Sequence, residues 1–199
     1  GEDADAYPKA TLQYSFEVCE VEGSNTRANC RKGSRGEDQQ WAVPEGWLSW
    51  DRAYAWYAYA YDGEKTSERP GPARLSTEVP QPMVTSHLGA TDGQSEIGAR
   101  YGNFNTSATD AALTTAGPEL AVTRTYNSLD PRASGPFGTG WSTRWDMRVR
   151  TEPDSHTAVV TMADGTQVRF GRNADNSYTG PSGTALTLTG VGESWSLRD

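Results

Sequence analysis

Hydrophobic and polar positions in this chain alternate with a period of two, and no stretch of adequate length holds the i, i+3, i+4, i+7 spacing of a helix without a Gly, Pro or Thr interruption. Leu12, Tyr14, Phe16 and Val18 alternate with Gln13, Ser15 and Glu17, which predicts a strand over 11–19 with one buried face. Residues 40–44 and 48–52 predict two short strands, with a helical turn near 45–50. Over 53–61 large rings occupy both parities: Tyr54 and Trp56 on one, Tyr57, Tyr59 and Tyr61 on the other. That suits a central strand covered on both sides, closed by the Asp62-Gly63 turn. A weaker strand at 73–79 sits between Pro70-Gly71-Pro72 and Pro80-Gln81-Pro82. From Leu120 onward a meander is predicted, with strands near 120–126, 141–149, 158–162, 167–170, 185–189 and 194–197 and turn residues about every ten positions. Trp141, Thr143, Trp145, Met147 and Val149 share one parity of the second of these. The fold class is therefore all-β.

The punctuation divides the chain into a first domain at 1–82, a connector at 83–119 and a β-meander at 120–199. Within the connector, 97–106 is expected to hold short aromatic-bearing strands between glycines, with Tyr101 and Phe104 pinning part of it to a core, while 109–117 is mostly polar. Seven Trp residues let a thin β core bury much area with few side chains, although hydrophobic residues are 35% of the total. The mean hydropathy is −0.73, and no apolar run approaches the length of a membrane-spanning helix. The formal net charge is −8 and no basic stripe is visible along the chain, which argues against a nucleic-acid partner. The chain starts at Gly1 and stops just after a strand-like run, so both ends read as cuts through a longer protein.

Candidate chemistry is sparse. Cys19 and Cys30 flank a polar stretch; in an oxidising compartment they would close it as a disulfide, and otherwise they stand as two thiols. Two cysteines without a neighbouring histidine do not make a tetrahedral zinc site. The two histidines, His87 and His156, lie in polar loop contexts and read as non-catalytic. Gly-x-Ser-x-Gly, His-Glu-x-x-His, a phosphate-binding loop and a dinucleotide fingerprint are all missing. The acidic pairs Asp3/Asp5 and Asp62/Glu64 do not fit a calcium loop. No cofactor or metal is expected. Trp41, Trp47, Trp50 and the Tyr series could present a flat platform to a sugar, although rings in strands more often pack on a sheet.

Two resemblances follow from particular residues. Leu12-Gln-Tyr-Ser-Phe-Glu-Val-Cys19, Trp41-Ala-Val-Pro44 and Leu48-Ser-Trp-Asp-Arg-Ala-Tyr-Ala-Trp-Tyr-Ala-Tyr-Ala-Tyr-Asp-Gly63 together resemble a fibronectin type III-like or immunoglobulin-like β-sandwich that lacks its first strands, since five strands are counted where about seven are needed. Arg124-Thr-Tyr-Asn-Ser128, Gly135-Pro-Phe-Gly-Thr-Gly-Trp141 and Asp164-Gly-Thr-Gln-Val-Arg-Phe170, in that order, resemble the opening of the β-shell in the Rhs/YD-repeat family of secreted bacterial proteins, related to teneurins and to Tc-toxin components. In that family such residues are architecture. Arg124, Tyr126, Asn127, Phe137, Gly138, Gly140, Trp141, Asp164, Gly165 and Phe170 are thus expected to be shell-motif residues. Gly138 and Gly140 would allow backbone angles and close approach that a Cβ forbids, Phe137 and Trp141 would fold over that turn, and Asn127 and Ser128 would cap exposed backbone groups.

The resemblance implies a secreted or cell-surface protein of polymorphic-toxin type. Its partners would be the remainder of the same protein, a β-cocoon and the C-terminal toxin it encloses. This part would be structural and not an enzyme. The alternative expectation is a β-sandwich module that binds a cell-surface carbohydrate.

Overall fold

The computed structural model describes residues 12–23, 26–82, 95–98, 102–117, 120–130, 132, 135–153 and 156–199. These residues are built from antiparallel sheets, and none of the sheets closes into a barrel or shell. The chain forms two units, one of residues 1–78 with 173–175 and one of 79–172 with 176–199.

The first unit carries one four-stranded sheet among its described residues. Its strands are β1 (Gln13–Glu22), β2 (Thr26–Lys32), β3 (Ala53–Tyr61) and β4 (Ala73–Ser76), in the order β2-β1-β3-β4. β1 and β3 pair without interruption from Gln13↔Tyr61 to Glu20↔Tyr54, so the two alternating sequences share their faces residue by residue. Val18, Cys19, Tyr54, Ala55 and Tyr57 are buried along this pair. A register shift between Val18 and Glu20 lies opposite Asn29, which adopts a left-handed backbone (φ 48°). Cys19 and Cys30 are joined by a disulfide across β1 and β2.

Two expectations for this unit change. The polar stretch after Cys19 returns as β2, an edge strand. An edge strand lined with Arg27, Arg31 and Lys32 has no apolar alternation to betray it, because charges on an edge guard against pairing with other chains. Conversely, 40–44 and 48–52 are not strands. Trp41 stacks on Phe16 with ring centroids 6.1 Å apart and meets Trp47 edge-on at 5.5 Å. Burial of rings fixes this loop, and Pro44 and Gly46 interrupt any strand between them. The second layer of the expected sandwich is therefore not formed by 40–52.

The second unit contains a sheet of β5 (Ser95–Gly98), β6 (Asn103–Leu113), β7 (Leu120–Asn127) and β8 (Trp141–Thr143), in that order. Its next sheet joins β9 (Arg148–Glu152), β10 (Thr157–Thr161), β11 (Gln167–Arg172) and β12 (Tyr178–Thr179), in the order β12-β11-β10-β9. A hairpin of β13 (Thr187–Val191) and β14 (Ser194–Arg198) follows. Every residue of the central β10 is buried, and Ala158, Val160, Phe170 and Leu188 form the core. Gln81 is tied to this sheet by both ends of its amide, donating to Arg169 O (2.9 Å) and accepting from Arg169 N (3.0 Å).

Much of the expected connector is thus sheet. β6 escapes the alternation rule because its inward positions include Asn103 (1% exposed) and Asn105 (8%), polar residues in core places. The run 141–149 is not one strand either. Thr143 and Asp146 close a capping box over a single 3-10 turn (Arg144–Asp146), which ends β8 and leaves Trp145 exposed.

The disulfide closes a loop between residues 11 apart, which constrains the unfolded chain. Replacing both cysteines by alanine is expected to lower stability by about 2–4 kcal/mol, read from urea unfolding by tryptophan fluorescence. An unshifted midpoint would contradict this account.

Candidate functional site

The motif residues of the second unit converge where β7 ends. Asn127 is fully buried there and uses every arm. Its N–H donates to Gly140 O (2.8 Å), its Nδ2 to Asp164 O (3.1 Å), and its Oδ1 accepts from Leu129 N (3.0 Å). One side chain thereby fixes the turn that follows it and reaches the Asp164-Gly165 hairpin between β10 and β11. Ser128 works beside it: its hydroxyl accepts from Phe104 N (2.8 Å) and donates to Asn103 Oδ1 (2.9 Å). Ser142, also fully buried, donates to Ala163 O (2.8 Å). The strand ends of one sheet are thus sewn to the hairpin of the next by side chains that find carbonyls and amides.

Close packing dictates two glycines. Gly140 has φ +79°, and a Cβ there would lie 2.6 Å from Tyr126 Cε2. Gly165 has φ +79°, and a Cβ would lie 2.5 Å from Asp130 Oδ2. Only glycine meets both the left-handed angle and the missing space.

The aromatic side of the corner is a short ladder. Phe104 meets Tyr126 at 6.0 Å and Tyr126 meets Trp141 at 5.4 Å. Arg124 lies 4.8 Å from the Trp141 ring centre and 5.9 Å from that of Phe137, and it pairs with Asp110 (3.1 Å). Phe137 keeps 39% of its surface exposed, so it borders the corner without being buried in it.

Of the carboxylates at the corner, the sequence singles out Asp164 but not Asp130 or Asp146. Asp130 has a side chain only 1% exposed and forms a two-pronged ion pair with Arg132, whose Nη1 also donates to Asp146 O (2.9 Å). The hydrogen bonds that Arg132 donates to the Asp130 carboxylate raise its pKa above its usual value, against the pull of burial. Asp146 accepts from Thr143 N (2.7 Å) and Thr143 Oγ1 (2.8 Å). Asp164 accepts from Thr166 N (2.9 Å) and Thr166 Oγ1 (2.6 Å). The three carboxylates gather around Arg132: Asp130 binds its guanidinium, and Asp146 and Asp164 each hold a turn. Their arrangement fixes backbone. The Asp130-Pro131-Arg132 spacing was the available signal, hidden because any Asp-Pro reads first as a turn.

Arg124, Tyr126, Asn127, Phe137, Gly138, Gly140, Trp141, Asp164 and Gly165 therefore surround one corner, where Gly138 spans it through bonds to Gly135 and Trp141. Phe170 does not join them; it is fully buried with Ala158, Val160 and Leu188. Cys19 and Cys30 belong to the first unit. His156 sits in the turn before β10 with a left-handed backbone, and His87 lies outside the described residues.

Residues 95–170, which contain this corner, match a family described as a domain of unknown function, DUF6531. The chain is also 31% identical over 103 residues to the tRNA nuclease WapA of Bacillus subtilis, and equally to the tRNA3(Ser)-specific nuclease WapA of Bacillus spizizenii and the tRNA(Glu)-specific nuclease WapA of Bacillus subtilis subsp. natto. The aligned stretch is 52% of this chain but 4% of each relative. The chain has a family-level link to DUF6531 and to WapA-like proteins. No solved structure matches it significantly.

Three outcomes test the corner. Gly140→Ala is expected to cost about 2–3 kcal/mol, from the left-handed angle and the overlap with Tyr126. Arg132→Met strands the buried Asp130 carboxylate and is expected to cost about 3–5 kcal/mol in denaturant unfolding. The third concerns acid. The Thr143 hydroxyl holds Asp146 below its ordinary value of 3.8, helped by Thr143 N–H and Arg132 and opposed by burial. A carboxyl lowered on folding contributes stability above its unfolded value and loses it as pH falls through the lower, folded value. Below pH 3.8 the acid-induced loss of stability in Asp146→Asn is therefore expected to be shallower than in the parent chain. Superimposable acid titrations would refute this role for Asp146.

Proposed function

We propose that this chain is a structural, N-terminal part of a secreted Rhs/YD-repeat protein of polymorphic-toxin type. In this reading residues 79–199 help to form or plug a β-cocoon around a C-terminal effector, and the first unit is a partial fibronectin type III-like module. The observation that carries the proposal is the interlocked corner. Nearly all the shell-motif residues meet there, and Asn127 and Asp164 spend their side-chain polar atoms on turns. The match of 95–170 to DUF6531 and the similarity to WapA proteins support the same placement. The relatives' names give those proteins a tRNA nuclease activity. Such chemistry belongs, in this proposal, to a part of the whole protein outside these residues, which themselves act as scaffold and not as enzyme. The disulfide supports an oxidising, extracytoplasmic location.

The test uses the whole protein of which this chain is part. Deleting residues 79–199, or weakening the corner with Arg132→Met, is expected to make the C-terminal effector sensitive to limited proteolysis while the parent protein protects it. Equal protection in parent and deletion proteins would dismiss the enclosing role.

A further inference from the structure

The sequence shows no basic stripe, but the first sheet assembles one. Tyr57, Tyr59 and Tyr61 lie on one face of β3 at every second position, a row about 13 Å long at ~3.3 Å per residue. A cation covers each ring. Arg27 and Arg69 both stand over Tyr57, at 5.5 and 4.4 Å from its centre, Lys32 over Tyr59 at 4.8 Å, and Arg35 over Tyr61 at 3.8 Å. These four residues come from β2, the loop after it and the segment between β3 and β4, so strand pairing alone brings them together. All four are exposed. Their charged groups themselves lie over the rings, on the solvent side of the row.

One carboxylate lies among the four cations. Glu17, on the neighbouring strand, is engaged by Arg69 and accepts from the Tyr59 hydroxyl (2.8 Å). Desolvation and Glu17 push Tyr59 up to about 12, so the ring stays a neutral phenol. In a chain of net charge −8, gathering four cations around the single carboxylate of Glu17 on one sheet face runs against both the overall balance and their mutual repulsion. An anionic partner relieves that repulsion.

We propose that this face of the first unit binds an acidic polysaccharide of the cell surface, a chain carrying carboxylate or phosphate groups at regular intervals. The ring faces are already occupied by the cations, so recognition is by charge and not by stacking, which disfavours the base-stacking mode of single-stranded nucleic acids. The disulfide between β1 and β2 supports an oxidising location, where surface polymers are met. This inference concerns the first unit and does not rest on the cocoon reading. It moves sugar binding away from Trp41 and Trp47, whose rings pack on each other and on Phe16.

The experiment measures binding of the 199-residue chain to immobilised polygalacturonate and poly(glycerol phosphate), with neutral dextran and duplex DNA as comparators. Retention by either acidic polymer, weakening as salt rises, is expected, and which of the two is preferred identifies carboxylate or phosphate as the anion. The Lys32→Gln/Arg35→Gln double variant is expected to bind at least about tenfold more weakly. Lys32→Arg/Arg35→Lys is expected to bind like the parent, as is Arg198→Gln in the other unit. Unfolding midpoints of all variants are recorded alongside, so the charge-keeping pair guards against misreading a folding defect. No retention of either acidic polymer at low salt, undiminished binding by the double Gln variant, or tighter binding to duplex DNA would each overturn the proposal.

Discussion

The Asn127 side chain is the interaction on which the second unit depends. It is fully buried, it terminates β7, and it reaches across to the carbonyl of Asp164 in the hairpin of the next sheet. Satisfying a buried amide on both its donor and acceptor sides allows little positional freedom, so the two sheet ends are held in register by hydrogen-bond geometry and not by apolar contact alone. Gly140 and Gly165 are consequences of this closeness, because the same approach leaves no room for a Cβ at either turn. Asp130 and Arg132 fill the remaining polar space as a mutually neutralising pair.

This construction explains how a chain with so few hydrophobic residues can specify one arrangement. The core proper is small and centred on Phe170, Ala158, Val160 and Leu188. Around it, buried Asn127, Ser142 and Thr143 carry out tasks that larger apolar side chains perform in richer cores. Polar groups placed this way add little net stability but penalise alternatives strongly, since any other pairing strands them without partners. Specificity therefore comes from satisfaction of polar atoms. The similarity of residues 95–170 to DUF6531 covers this polar framework and not only the apolar strands.

The first unit solves the same problem with rings. Phe16, Trp41 and Trp47 fasten a loop without strand pairing, and the Tyr57–Tyr61 face is roofed by the charged groups of basic residues. Cation and ring are attracted by the ring quadrupole, so the roof contributes cohesion while it concentrates positive charge. One arrangement thus joins a structural role to an electrostatic one in a protein whose overall charge is negative.

By itself the sequence determined the strand character of β1, β3, β7, β10 and β11, because each alternates or carries β-branched and aromatic residues between clear turn formers. It also marked the glycine and aspartate turns of the corner, where only a few residue types tolerate the backbone angles. It did not reveal β2 and gave only short strands at 97–106 where β6 runs on to Leu113, because edge charges and buried asparagines erase the apolar period, and it suggested strands at 40–52 where aromatic packing holds a loop. Which distant residues meet was decided by tertiary structure alone. The Asp130–Arg132–Asp146 cluster, the reach of Asn127 to Asp164 and the gathering of Arg27, Lys32, Arg35 and Arg69 over three tyrosines all depend on strand register and turn geometry. Local periodicity reports which face a residue occupies, but the partner waiting on that face is set only when strands far apart in the chain are brought side by side.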